Sequence, residues 1–174
     1  MWYHLLDGQT RDTIEQVIPQ YGGPPYCGIT CSMVKRVTPP EAEALLAQGW
    51  TYLDVRSIPE FEGGHPAGAA NVPLLHLQGG RMSPNPDFEA VVTANYPKNT
   101  KLVLGCKAGP RSLRAAGVLA DLGYTDVVDM RGGFHGERDA LGRVACAGWA
   151  ESGLPVETAA PPERTYVELA KKRG

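Results

Sequence analysis

Short apolar segments alternate with helical patterns between residues 35 and 130 of this 174-residue chain. Apolar residues cluster at Trp50 to Val55, Leu102 to Leu104 and Val127 to Met130, and these short clusters predict strands. Between them, apolar residues spaced three and four apart predict amphipathic helices, such as the one that begins after Thr38. Strands that alternate with helices in this way favour an α/β fold with a mainly parallel sheet.

The charge balance restricts the classes of partner. The chain carries 17 Lys and Arg against 19 Asp and Glu, a net charge of −2, which argues against a broad nucleic-acid-binding or polybasic membrane surface. No apolar run approaches the roughly 20 residues that span a bilayer. The first residues lack the basic start and the apolar stretch of a signal peptide. We therefore expect a cytoplasmic protein that binds neither nucleic acid nor a membrane, and no feature predicts its oligomeric state.

The most informative junction joins a predicted buried strand to a predicted buried helix. It reads Gly105-Cys106-Lys107-Ala108-Gly109-Pro110-Arg111-Ser112. Pro110 suits the first turn of the helix, so Cys106 lies just before the helix N-terminus, where backbone amides can form an anion-binding nest. Lys107 and Arg111 add two cations, and Gly109 allows a tight turn without a side chain. These features favour the thiolate of Cys106 over its thiol. The alternative is a small buried side chain in a simple connection.

Several separate stretches resemble the rhodanese (sulfurtransferase) superfamily, in the order in which the family carries them. The upstream stretches are Leu53-Asp54-Val55-Arg56, Glu60-Phe61, Gly64-His65-Pro66-Ala67-Gly68-Ala69 and Asn71-Val72-Pro73. The loop from Cys106 to Arg111 is similar to the family's C-x-x-G-x-R active loop. The closing stretches are Gly132-Gly133-Phe134, Trp149 and Gly153-Leu154-Pro155-Val156. The resemblance covers about residues 35–156.

This resemblance implies a rhodanese-like fold, with about five mainly parallel strands and helices on both faces of the sheet. It implies that Cys106 is the nucleophile, which takes a sulfane sulfur from a small anionic donor such as thiosulfate. The resulting persulfide passes that sulfur to an acceptor such as cyanide or a cellular thiol. Lys107, Ala108, Gly109, Pro110 and Arg111 would form the sulfur-binding loop, with backbone amides around the sulfur and positive potential from Lys107 and Arg111. The chemistry needs no metal and no organic cofactor.

The resemblance also sets the predicted domain organisation. We expect one rhodanese domain at residues 35–156 and a polar C-terminal tail at residues 157–174. The Gly22-Gly23-Pro24-Pro25 sequence interrupts any long element before the domain, which predicts a poorly structured N-terminal extension at residues 1–34.

Two alternatives to sulfur transfer remain open. Phosphatases and arsenate reductases of the related fold resemble this loop but use seven residues, whereas Cys106 to Arg111 is six. The shorter loop suits one sulfur atom better than a tetrahedral oxyanion. A non-enzymatic persulfide carrier or binding module would load Cys106 without steady-state turnover. Thiosulfate, mercaptopyruvate and glutathione persulfide all remain candidate donors, and the paired charges of Lys107 and Arg111 favour thiosulfate.

Two charged residues close the predicted strand at Trp50 to Val55. Asp54 and Arg56 lie at its carboxyl end, and Glu60 follows four residues after Arg56. The simpler interpretation is an Arg56–Glu60 ion pair that stabilises the next turn. The functional interpretation places Asp54 or Arg56 beside the catalytic loop, where its side chain would help to position the loop.

The sequence departs from the family pattern between Phe134 and Trp149, where about twelve residues, 135–146, are inserted. We expect a last helical region from Gly132 onwards, with the insertion near the rim that carries Cys106. The insertion is either a surface loop or a flap, in which Arg138 or Arg143 attracts anionic donors.

Three other cysteines invite a functional reading. Cys146, in the insertion, could resolve an oxidised Cys106. Cys27 and Cys31 are four positions apart, but a zinc site needs a second such pair or histidine ligands. We therefore predict no metal site.

Overall fold

The computed structural model describes residues 34–173. The predicted N-terminal extension, apart from Val34, and the Cys27 and Cys31 pair therefore lie outside the described residues. The helices are α1 (Pro39–Leu46), α2 (Ile58–Glu62), α3 (Phe88–Asn95), α4 (Pro110–Asp121) and α5 (Tyr166–Ala170), with a 3-10 turn at Pro162–Arg164. Among the described residues, no helix is long and apolar enough to cross a membrane.

The strands form one five-stranded sheet and three two-stranded pairs. They are β1 (Lys35–Val37), β2 (Thr51–Asp54), β3 (His65–Pro66), β4 (Ala70–Asn71), β5 (Leu75–Gln78), β6 (Arg81–Pro84), β7 (Leu102–Gly105), β8 (Val127–Met130), β9 (Glu137–Arg138), β10 (Val144–Cys146) and β11 (Val156–Glu157). The main sheet has the order β1-β8-β7-β2-β4, and all its neighbouring strands are parallel. The predicted α/β fold with about five parallel strands is confirmed.

Two hydrophobic cores lie on opposite faces of this sheet, because successive side chains of a strand point to opposite faces. Leu102 and Leu104 of β7 pack in the core that contains residues of α3, α4 and α5. Val103, between them, packs in the core that contains residues of α1 and α2 and the indole of Trp149. Helices therefore cover both faces, as predicted.

The region after Gly132 is not helical, so that prediction is wrong. Gly132 and Gly133 have φ values of +81° and +57°, which turn the chain sharply instead of continuing it into a helix. The insertion then forms an antiparallel hairpin of β9 and β10. Asp139 closes its tip, because its carboxylate accepts hydrogen bonds from the backbone N–H groups of Leu141 and Arg143.

The C-terminal segment is polar in composition but packs against the domain. Leu169 of α5 is only 4% exposed and lies in the core beside α3. The side-chain amide of Asn95, in α3, donates to the carbonyl oxygen of Leu169 at 2.9 Å. At the start of the segment, Glu157 of β11 pairs with His65 of β3. These contacts make the segment part of the folded unit.

We predict that Leu169→Ala lowers the free energy of unfolding by about 2–5 kcal/mol, because it leaves a cavity in a packed core. Val167→Ala, in the same helix, is the control: Val167 is 60% exposed, and its truncation should change stability by less than about 0.5 kcal/mol. Urea unfolding of both variants measures the difference. Equal effects would show that α5 is not anchored by Leu169.

Candidate active site

Cys106 lies at the centre of the carboxyl edge of the main sheet. It directly follows β7, which has β8 on one side and β2 on the other. Its side chain is almost fully buried, and its Sγ accepts a hydrogen bond from the backbone N–H of Gly109 at 3.1 Å. The hydroxyl of Ser112 lies 3.4 Å from the same sulfur and 2.9 Å from the carbonyl oxygen of Gly109. The predicted nucleophile therefore sits among hydrogen-bond donors at a helix start.

The loop after Cys106 carries backbone N–H groups without acceptors. Those of Lys107, Ala108, Arg111 and Ser112 donate to no carbonyl oxygen of residues 34–173, as is usual just before and within the first turn of a helix. Pro110 has no N–H and starts α4, so of the five predicted loop residues it alone cannot donate. Gly109 precedes it with a φ of +110°. The loop thus has the free N–H groups that an anion-binding nest requires.

A turn from Gly132 to His135 holds this loop from outside. The N–H of Phe134 donates to the carbonyl oxygen of Cys106 at 2.7 Å, and the N–H of His135 donates to that of Lys107 at 2.9 Å. A Cβ atom on Gly133 would lie 2.5 Å from the Cys106 oxygen and 2.7 Å from the Ala108 nitrogen. Only glycine permits so close an approach. The turn thus binds carbonyl oxygens of the active loop, while the N–H groups of the active loop remain available to a ligand.

Arg111 forms an ion pair that the sequence did not predict. Its guanidinium donates to both carboxylate oxygens of Glu60, at 2.7 and 2.8 Å. Burial raises the pKa of Glu60, but the hydrogen bonds from Arg111 and Ser57 outweigh it and lower the pKa to about 2. The predicted Arg56–Glu60 pair is wrong, because Glu60 pairs with Arg111 of the active loop, which follows it by 51 residues in sequence. The charge of Arg111 is thus balanced by a carboxylate.

Arg56 pairs instead with Asp54, and both side chains are buried. The Arg56 guanidinium donates to the Asp54 carboxylate at 2.6 Å and to the Gly64 carbonyl oxygen at 2.8 Å. Its Cζ lies 4.3 Å from the centre of the Phe134 ring. Asp54 and Arg56 therefore support the turn that holds the active loop, while their effect on reactivity stays a prediction.

An open groove lies beside the loop, lined in part by Arg56, Glu60, Lys107, Phe134 and His135. We call it the mouth groove. Lys107 is exposed there, and no carboxylate of the described residues forms a salt bridge with it, in contrast to Arg111. His135 looked in the sequence like the first residue of an insertion, so its place in this groove was missed.

A second ion pair that the sequence did not reveal lies on the opposite side of the loop. Arg36, in β1, donates to the buried carboxylate of Asp129, in β8, at 2.8 Å. Burial raises the pKa of Asp129, although Ser112 and Arg36 oppose the shift. The Arg36 guanidinium lies 3.3 Å from the position that a Cβ on Gly109 would occupy. The pairing of β1 with β8 brings the two residues together, and the sequence alone gave no signal for it.

The two arginines of the insertion are paired with carboxylates. Arg138 donates to Glu151 at 2.5 Å, and Arg143 donates to Asp139 at 2.7 Å. The structure places neither among the residues that line the mouth groove, so a flap role for them stays a prediction. Cys146 lies beside Gly132, with its Sγ 3.2 Å from the position of a Cβ there. Within residues 34–173, no cluster of three His, Cys, Asp or Glu side chains could hold a metal ion.

Comparison with known proteins agrees with this geometry. The Rhodanese-like domain family matches residues 38–139. Thiosulfate sulfurtransferase 16 of Arabidopsis thaliana is 37% identical over 116 residues, which are 67% of this chain and 87% of that protein. Human thiosulfate:glutathione sulfurtransferase is 36% identical over 101 residues, 56% of this chain and 88% of that protein.

Solved structures show the same fold. The crystal structure of Rv0390 from M. tuberculosis is similar with a TM-score of 0.62 and 27% identity, over 74% of this chain and all of that one.

For two further plant relatives, the matched stretch spans only 57% of their own length. With a family match over more than half of its residues, the chain belongs to the rhodanese-like domain family.

Proposed function

We propose that this protein is a sulfurtransferase that moves a sulfane sulfur from thiosulfate to a thiophilic acceptor through a persulfide on Cys106. The observation that carries the proposal is the six-residue loop, in which the N–H of Gly109 already donates to Cys106 Sγ and four further N–H groups have no backbone acceptor among the described residues. Relatives named as thiosulfate sulfurtransferases support the donor.

In the first half-reaction, the Cys106 thiolate attacks the outer sulfur of thiosulfate. The S–S bond of thiosulfate breaks, sulfite leaves with the electron pair, and Cys106 carries a persulfide anion. The N–H groups of the loop stabilise that anion because they are held in place before the reaction. Lys107 attracts the dianionic donor.

In the second half-reaction, an acceptor attacks the outer sulfur of the persulfide. With cyanide, a carbon–sulfur bond forms, the persulfide S–S bond breaks, and thiocyanate leaves the regenerated Cys106 thiolate. The two steps form a double-displacement cycle with a covalent intermediate. Neither step consumes a cofactor.

The loop size argues against oxyanion chemistry on the same cysteine. A tetrahedral phosphate or arsenate needs donors around three oxygens, and the six-residue loop suits a single sulfur atom. A persulfide carrier remains the second candidate from another class of protein. The two differ in the acceptor step, because a carrier loads Cys106 but turns over negligibly with cyanide.

Intact mass and turnover test the proposal together. After incubation with thiosulfate and removal of excess reagent, the protein should gain the mass of one sulfur atom, which cyanide removes. Cys106→Ser should show neither the gain nor thiocyanate production, whereas the control Cys146→Ser, the other cysteine among residues 34–173, should show both. A wild-type protein that gains no sulfur contradicts the proposal. Loading without turnover identifies a carrier.

A glycine substitution tests the role of the turn. Gly133→Ala forces a Cβ against the active loop and should cost about 1–3 kcal/mol beyond backbone strain, and it should reduce persulfide loading. Gly123→Ala is the control, since Gly123 also has a positive φ but a Cβ there meets no atom within 4 Å. Thermal unfolding and intact mass compare the two. Equal stability and equal loading would exclude a role for the close approach.

The charge of Lys107 should matter for the donor. We expect Lys107→Gln to reduce the rate of loading by thiosulfate about three- to tenfold at low ionic strength, because one attracting charge is lost. The deficit should shrink as salt screens the interaction. Lys101→Gln is the control, because Lys101 is exposed just before β7, at the end of the strand opposite Cys106. Stopped-flow measurements that show equal rates for both variants would contradict this role.

A further inference from the structure

His135 contacts the active loop through its backbone and lines the mouth groove with its side chain. Its N–H is bonded to the Lys107 carbonyl oxygen at 2.9 Å, which places the residue beside the active loop. Its ring packs against the edge of the Phe134 ring, with centroids 4.9 Å apart and planes at 86°. The side chain is exposed and lines the groove, and its ring nitrogens make no hydrogen bond to residues 34–173. The imidazole is thus available to a bound molecule.

An alkyl thiol acceptor poses a chemical demand that an ionised aromatic thiol does not. Only a few per cent of an alkyl thiol is ionised at pH 7, and the thiolate is the nucleophile. A base beside the bound thiol would remove this limit. An ionised aromatic thiol needs no such base, because it reaches the persulfide as an anion.

The charges around His135 favour its neutral form, which is the form that accepts a proton. Partial desolvation of the ring in the groove lowers the pKa of His135, and the cations Arg56 and Lys107 lower it further. Glu151 and Glu60 oppose the shift. Both carboxylates are themselves paired, with Arg138 and with Arg111. With its pKa lowered, the imidazole of His135 is neutral at pH 7 and can accept a proton.

We propose that His135 is the general base for a small thiol acceptor bound in the mouth groove, a role that rests on the proposed sulfur transfer. The imidazole takes the proton of the acceptor thiol. The thiolate attacks the outer sulfur of the Cys106 persulfide, a new S–S bond forms, and Cys106 leaves as the thiolate with the electron pair of the broken bond. The proton passes from His135 to the transferred sulfur, so the product is a hydropersulfide and His135 is neutral again. No oxidant or reductant is consumed.

The test measures the acceptor step alone. Wild-type protein, His135→Gln and the control His76→Gln are loaded with thiosulfate, freed of reagent and mixed with glutathione or with an ionised nitrobenzenethiolate. His76 lies in β5, where it packs against Tyr166, outside the mouth groove. We expect the ratio of the glutathione rate to the nitrobenzenethiolate rate to fall roughly 10- to 30-fold in His135→Gln at pH 7, since only the ionised thiol then reacts. His76→Gln should keep the wild-type ratio.

The pH dependence gives a second readout. The deficit of His135→Gln should shrink as the pH approaches the pKa of the acceptor thiol, about 8.5 for a cysteine thiol, because the thiolate then forms without help. Imidazole in solution should raise the glutathione rate of His135→Ala more than that of the wild type. An unchanged ratio of the glutathione rate to the nitrobenzenethiolate rate in His135→Gln overturns the proposal, whether both rates stay the same or fall together. Failure of the wild-type protein to load sulfur would instead overturn the proposed function.

Discussion

The hydrogen bonds between the turn at Gly132 to His135 and the active loop are the constraint on which the site depends. They bind the carbonyl oxygens of Cys106 and Lys107 from outside the loop. A loop whose carbonyl oxygens are so engaged can keep its N–H groups free of backbone acceptors, and in the proposed function these groups bind the sulfur of the persulfide. Gly133 makes the contact possible because no side chain separates the two backbones.

Three ion pairs lie near this contact and the active loop. Arg56, paired with the buried Asp54, packs on the Phe134 ring and so supports the turn. Glu60 holds Arg111 at the start of α4, and Arg36, which pairs with Asp129, lies close to Gly109.

Loss of one partner of a buried pair leaves an unpaired charge, which costs about 3–5 kcal/mol. The positions of the loop and of Cys106 are therefore set by electrostatics as well as by the apolar cores. Lys107, with no carboxylate partner among the described residues, is the cation available to a substrate.

The parts of this arrangement that depend on neighbours in sequence were predictable, and the parts that depend on distant pairs were not. Apolar clusters located β2, β7 and β8, and the loop sequence located Cys106 and the helix after Pro110. The four-residue spacing predicts an ion pair between Arg56 and Glu60, whereas the partner of Glu60 in the structure is Arg111. Arg36 and Asp129 are 93 residues apart and meet only because β1 pairs with β8. The sequence predicts a helical region from Gly132 onwards, because the two positive φ values at Gly132 and Gly133 leave no mark in apolar spacing.

The most direct test of the central claim is a crystal structure of the protein after treatment with thiosulfate, with anomalous scattering to locate sulfur. The account predicts one additional sulfur atom bonded to Cys106 Sγ, within hydrogen-bond distance of the N–H groups of the loop, with the contacts of Phe134 and His135 to the loop unchanged. An intact thiosulfate or another tetrahedral anion in the loop, with no bond to Cys106, would contradict it.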